Sequence, residues 1–124
     1  KQKNVDFLSY VDDIQAFYNS GKIFIITSET EGLPRTLLEA MCCGLPSVVS
    51  DVGDIKDIAI DGHNSYLISN HLDVKAYTQK IIEIMNDKDK YVEMSYNARV
   101  GVTTSYSHSN ASGVWSDILE SLKC

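Results

Sequence analysis

No stretch of the 124 residues is long and apolar enough to cross a bilayer, and nothing near Lys1 looks like a signal sequence. The expectation is a chain that neither spans a membrane nor shows export; an address carried by other residues would be invisible. Basic residues are few and scattered. Against 17 Asp and Glu stand 11 Lys and Arg, a net charge of -6, which argues against nucleic acid because a phosphate backbone is held by clustered cations. A nucleotide diphosphate is not excluded, since local amides and Arg35 matter more there than the total charge. A Gly-x-Gly-x-x-Gly fingerprint after a strand is absent, which counts against a dinucleotide oxidoreductase. Cysteine is scarce and odd in number at 3. Cys42 and Cys43 are neighbours in an expected helix, where side chains diverge and a disulfide would be strained, so a reducing compartment follows. His63, His71 and His108 lie apart from any paired cysteines, so no zinc spacing is present and no metal is expected. Internal repeats and low-complexity tracts are also missing.

What is present suits a soluble domain with ample core material: 44% of residues are hydrophobic and 23% charged, near the averages for globular proteins. Short apolar runs near Val5 to Leu8, Ile23 to Thr27, Ser47 to Ser50 and Tyr66 to Ile68 read as strands separated by helical stretches, which implies an α/β fold with a parallel sheet. A helix from about Asp12 to Asn19 places Ile14, Phe17 and Tyr18 on one face and stops at Gly21. Ser50 and Asp51 offer a cap for a helical turn through Ile55 to Ile60. A longer helix from near Asp73 to Asn86 carries the stripe Val74, Tyr77, Ile81, Ile82, Ile84 and Met85, and Lys88 to Arg99 forms another. Gly101 to Asn110 is polar and turn-rich. Val114, Trp115, Ile118, Leu119 and Leu122 then mark a last amphipathic helix, with Trp115 either covering this domain's core or leaving apolar surface exposed.

The informative segment is residues 28–53. The β-branched run Ile23-Phe24-Ile25-Ile26-Thr27 predicts a buried parallel strand ending at Thr27 or Ser28. Gly32 follows as a position for backbone angles closed to other residues, and Pro34 suits a first helical turn, where its missing N–H costs nothing. Leu37, Leu38, Met41 and Cys42 recur at helical spacing, and Gly44 with Pro46 ends a helix of about ten residues. This strand-to-helix junction lies at the carboxyl edge of the sheet, where open α/β folds bind ligands, and the unpaired N–H groups around Arg35 to Leu37 suit a diphosphate. Glu39, on the second turn, is free to accept from the vicinal hydroxyls of a ribose, and Glu31, on the loop, from a second sugar beyond the phosphates. On spacing alone, an acid before a helix is ordinarily a dipole partner, and a mid-helix Glu is usually a solvated face.

Glu31-Gly32-Leu33-Pro34 through Leu38-Glu39-Ala40-Met41, then Gly44-Leu45-Pro46, Val48-Val49-Ser50 and Gly53, resemble the signature of glycosyltransferase family 4. The resemblance implies a GT-B enzyme built of two Rossmann-like domains that transfers a sugar from a nucleotide-sugar donor with retention and without a metal. It implies that this chain is the three-layer, C-terminal donor-binding domain. In the E-x7-E element, Glu31 matches the glutamate that contacts the donor sugar, the single residue assigned to the catalytic centre, and Glu39 matches the one on the ribose hydroxyls. Gly32, Leu33, Arg35, Thr36 and Leu37 match the amide cradle for sugar and phosphate, to which Pro34 has no N–H to give. Val5 to Asp13 with Phe17-Tyr18 is similar to the family's preceding strand, turn and helix, the strand lining a nucleobase pocket. Asp61 to Ile68 is similar to its glycine turn and following strand, with Ser65 where glycine is common. Two departures stand out. Asp54, Ile55, Lys56 and Asp57 follow Gly53 where the family often shows glycine, an apolar residue, proline and glutamate, and Lys22 stands where aspartate is usual.

The resemblance further implies no cofactor beyond the substrate, a UDP- or GDP-sugar, and a glycan or lipid-linked acceptor held by a domain these residues do not contain. A complete GT-B enzyme needs two domains, whereas residues 1–124 supply one, so the expectation is a piece of a longer chain, incomplete at its N-terminal side and inactive alone. The enzyme's place would be the cytoplasm, with peripheral association at the inner face of the membrane left open. Two alternatives remain at this point: a nucleotide-sugar epimerase of related fold and a non-catalytic Rossmann-like binding module.

Overall fold

The computed structural model describes residues 4–121. In chain order they form α1 (Ile14–Ser20), β1 (Phe24–Ile26), α2 (Arg35–Cys42), β2 (Ser47–Ser50), a 3₁₀ turn (Ile55–Asp57), β3 (Ser65–Ile68), α3 (Val74–Asn86), α4 (Lys88–Ser105) and α5 (His108–Ser121). The strands make one parallel sheet in the order β1-β2-β3, with Val48 opposite both Ile25 and Tyr66 and Val49 opposite both Ile26 and Leu67.

Alternation along β2 sorts the core into two layers. Val49 points to the face where α2 supplies Leu37 and Met41, the segment after β2 supplies Ile55, Ile58 and Ala59, and α4 supplies Ala98 and Val102. Val48 points the other way, with Tyr66 and Ile68 of β3, onto Tyr77 and Ile84 of α3 and Met94 of α4. Helix α4 thus serves both faces, and every residue of β2 is buried. The result is the Rossmann-like three-layer arrangement expected.

Local signals explain most boundaries. Asp13, Asp73 and Asp87 each accept a hydrogen bond from the backbone N–H three residues on, capping α1, α3 and α4. Helix α2 ends in a Schellman motif: Gly44 takes φ +76°, its N–H donates to the Met41 carbonyl, and the N–H of Leu45 donates to Ala40. Leu45 then packs with Ala40 and Tyr18 in a small third cluster.

Several expectations need correction. Val5 to Leu8 forms no strand; it runs beside no ladder partner among the described residues, and Phe7 is 94% exposed. The polar run after Gly101 continues α4 to Ser105 because burial of Val102, one turn beyond Ala98, outweighs its weak helix formers. Neither Ser50 nor Asp51 caps the next helical turn, which is only three residues long, Ile55–Asp57, with Asp54 at the N-cap position and no side-chain cap. On α2 the buried residues are Leu37, Ala40 and Met41, while Cys42 is exposed. The expected stripe of α3 splits, with Tyr77 and Ile84 inside and Val74, Ile82 and Met85 outside. On α1 only Tyr18 is buried, and Ile14 and Phe17 stay half-exposed. Along α5, Val114, Trp115 and Ile118 are exposed, so Trp115 does not cover the core; Leu122 and the Leu119 side chain lie outside the described residues.

Candidate functional site

At the carboxyl edge of the sheet the loop after β1 and the loop after β2 meet. Ser28, just past β1, donates its hydroxyl to Glu31 Oε1 at 2.7 Å, which fixes one oxygen of a half-buried carboxylate. Behind it lies Gly53, at φ +55°: a Cβ built there would sit 1.7 Å from the Glu31 carbonyl oxygen. Only a glycine allows the two loops to close on each other so tightly. The expected glycine freedom therefore belongs to Gly53 rather than Gly32, whose φ is not left-handed. Gly32 is exposed, and a Cβ on it would meet nothing within 4 Å, so the space above its backbone is open.

The opening of α2 follows directly. Pro34 occupies the N-cap position, one residue ahead of the first turn, in extended backbone with no capping side chain. Its carbonyl accepts from the N–H of Leu37 at 3.1 Å. The N–H of Leu37, one of the expected cradle positions, is thus turned toward Pro34, and its side chain is completely buried against the sheet. Arg35 and Thr36, in the first turn, have N–H groups with no intrahelical acceptor, where the helix dipole favours an anion. Both side chains are exposed, and Leu33 is partly so.

Glu39 stands one turn further along, on the flank of α2 that faces α1. Its Oε2 accepts from the Tyr18 hydroxyl at 3.2 Å. Burial first, and then the hydrogen bond to Glu39, push the Tyr18 phenol up to about 12. A cavity of about 340 Å³ opens beside this pair, lined by Ile14, Gln15, Leu38 and Glu39 and closed from the α4 side by Val102 and Tyr106. Glu31 is not among its lining residues. Cys42 and Cys43 also line it as free thiols, and partial desolvation of the otherwise exposed Cys42, ahead of the neighbouring Cys43, pushes it above its ordinary value. Among the described residues no three His, Cys, Asp or Glu side chains come together in a way that could hold a metal ion.

Against this geometry, the family profile "Glycosyl transferases group 1" matches residues 1–101. The chain belongs to the group 1 glycosyl transferases. Among curated relatives, the Campylobacter jejuni GalNAc-alpha-(1->4)-GalNAc-alpha-(1->3)-diNAcBac-PP-undecaprenol alpha-1,4-N-acetyl-D-galactosaminyltransferase is 31% identical over 98 residues, 77% of this chain and 26% of that protein. The chain spans about a quarter of the length of the curated relatives it matches. Its fold is that of the C-terminal domain of GT-B glycosyltransferases. The C-terminal domain of LpcC from Francisella tularensis superimposes with a TM-score of 0.69 at 23% identity, over 82% of this chain and 52% of that one. Anabaena HepE, solved in complex with UDP-glucose, gives a TM-score of 0.86 at 22% identity over 98% of this chain and 33% of that one.

Three features of this group 1 domain carry no role in the sequence reading. Ser28 stands three residues before Glu31, a spacing that suits a hydroxyl reaching forward along a loop. Tyr18 reads as one more apolar position on α1. Gly53 reads as part of a signature, and only the folded backbone reveals what it touches.

Proposed function

We propose that these residues form the donor-binding domain of a retaining, metal-independent glycosyltransferase of family 4, which as part of a longer chain transfers a hexose-type sugar from a nucleoside diphosphate to a glycan or lipid-linked acceptor. The observation that carries this reading is the closure of Gly53 onto Glu31. It holds an acid-bearing loop rigidly against the carboxyl edge, immediately before the first turn of α2. Such an edge is where open α/β sheets bind their ligands. The UDP-glucose in HepE and the undecaprenol-linked glycan in the name of the Campylobacter relative support the substrate classes.

In this reading the diphosphate sits over the N–H groups of Arg35 and Thr36, with the Arg35 side chain close enough to share its charge. The ribose diol donates to Glu39. The sugar occupies the open space above Gly32, beside Leu33, where Glu31 orients its hydroxyls. As the bond from the anomeric carbon to the diphosphate oxygen breaks, positive charge grows on the sugar and negative charge on the departing phosphate. Fixed amide dipoles stabilise the latter without reorganising. Glu31 positions the ring and is not a nucleophile. The two carboxylates hold different sugars, unlike the paired acids of glycoside hydrolases that flank one bond. Asp54, next to Gly53, brings a negative charge to the same loop wall and weakens the grip on the phosphates.

Titration calorimetry with UDP, GDP, ADP and their glucose conjugates tests the proposal. Glu39→Ala is expected to weaken nucleotide binding about tenfold or more, as loss of charge-assisted hydrogen bonds does. Glu31→Ala should weaken only the sugar conjugates. Unchanged affinities in both variants would overturn the assignment.

A further inference from the structure

Glu39 on its own is a poor ligand for a diol. It is an exposed side chain with three rotatable bonds on the flank of a helix, and fixing it costs rotamer entropy at the moment of binding. The structure supplies a restraint from another element. Tyr18 is the buried residue of α1, with its ring packed edge-on to Phe24 at 5.9 Å and wedged against Ala40 and Leu45. Its hydroxyl therefore has little freedom, and what it meets is Glu39 Oε2. The remaining lone pairs of that carboxylate, including all of Oε1, are left for a ligand entering the cavity between α1 and α2.

We propose that Tyr18 is a positioning residue that pre-orients Glu39 for a vicinal diol, and thereby sets the preference of this domain for ribonucleotides over deoxyribonucleotides. The inference rests on the assignment of Glu39 to the ribose. Tyr18 lines the same cavity, and its role in the preference runs through the carboxylate that its hydroxyl holds. Without the phenol oxygen the Glu39 side chain rotates freely, and a diol must immobilise it. A ligand lacking one hydroxyl gains less from a prepared carboxylate and so loses less when the preparation is removed.

The test compares the tightest binder among UDP, GDP and ADP with its 2′-deoxy and 3′-deoxy forms, reading dissociation constants from amide-shift titrations of the 124-residue chain. Tyr18→Phe keeps the ring, and with it the packing on Phe24. It should weaken the ribonucleotide about fivefold, the immobilisation cost of one long side chain, while changing the deoxy forms by less than half as much. The ribo-to-deoxy ratio falls toward one. Glu39→Ala should abolish the ratio altogether, and Tyr18→Phe should add nothing further in that background. A purely structural Tyr18 would lower the melting temperature and weaken all three ligands equally, which overturns the proposal while leaving Glu39 in place. If wild type shows no ribo preference, or Glu39→Ala leaves the ratio intact, the ribose assignment fails and the positioning role with it.

Discussion

Replacing Gly53 with alanine strikes the contact on which the site's shape depends. Two costs add. At φ +55° an L-residue carries a left-handed strain of about 1 kcal/mol relative to glycine. The new Cβ would also stand 1.7 Å from the Glu31 carbonyl oxygen and 2.8 Å from its carbon, both backbone atoms that no side-chain rotation can move aside. The loop after β1 must retreat by more than about 1 Å, and forced backbone shifts of this kind cost roughly 2 kcal/mol. The sum, about 3 kcal/mol, lowers the melting temperature by roughly 12 °C at about 4 °C per kcal/mol for a chain of this size. Circular dichroism melts of wild type, Gly53→Ala and Gly32→Ala form the assay. Gly32 is the internal control, because its added methyl meets nothing within 4 Å and its φ is not left-handed. Gly32→Ala should melt within about 1 °C of wild type yet weaken nucleotide-sugar binding, since the methyl enters the space assigned to the sugar. A Gly53→Ala protein that melts with wild type would refute the reasoning about loop closure.

Leu37→Ala empties a fully buried position between α2 and Val49 and should cost about 2–5 kcal/mol, read from urea unfolding. A loss below about 1 kcal/mol would show that this face of the core is looser than described. Alkaline pH offers an independent check on Tyr18 and Tyr66, both raised from 10.0 to about 12 chiefly by burial and then by hydrogen bonds to Glu39 and Glu83. In the unfolded chain both phenols ionise near 10, while the folded chain retains their protons. Stability is therefore fully present below pH 10 and falls as pH rises toward 12. Tyr18→Phe should shallow that fall, and an unchanged slope would contradict the part-buried Tyr18–Glu39 contact.

Much of this domain is legible before folding because its punctuation is local. Gly44 and Pro46 end α2 as the spacing says, and Val48-Val49 between two serines announces a strand buried on both faces. What escapes is whatever depends on a distant partner. The apolar alternation of Val5 to Leu8 looks like a strand, but a strand exists only if another offers it a ladder, and none of the described ones does. The residues from Gly101 to Ser105 have weak helix formers that Val102, buried against α2 and Ile55, overrides. Among the glycines of the site, composition cannot tell the strained Gly53 from the unstrained Gly32, because the difference lies in how closely two loops approach. For Leu37, helical spacing gives the buried side chain, but not the turn of its N–H toward the Pro34 carbonyl. Tyr18 is legible as a ring on an apolar face, but the partner of its hydroxyl is not, being contributed by a helix 21 residues away.

The central claim is that the first turn of α2 and the acids on either side of it hold one nucleoside diphosphate sugar. A crystal structure of the chain soaked with the sugar nucleotide that binds tightest in calorimetry tests it most directly. The account predicts phosphate oxygens at about 3 Å from the N–H groups of Arg35 and Thr36, the ribose diol on Glu39 and the hexose hydroxyls on Glu31. A donor seated elsewhere, such as along the exposed face of α3, with both carboxylates turned to solvent, would contradict it.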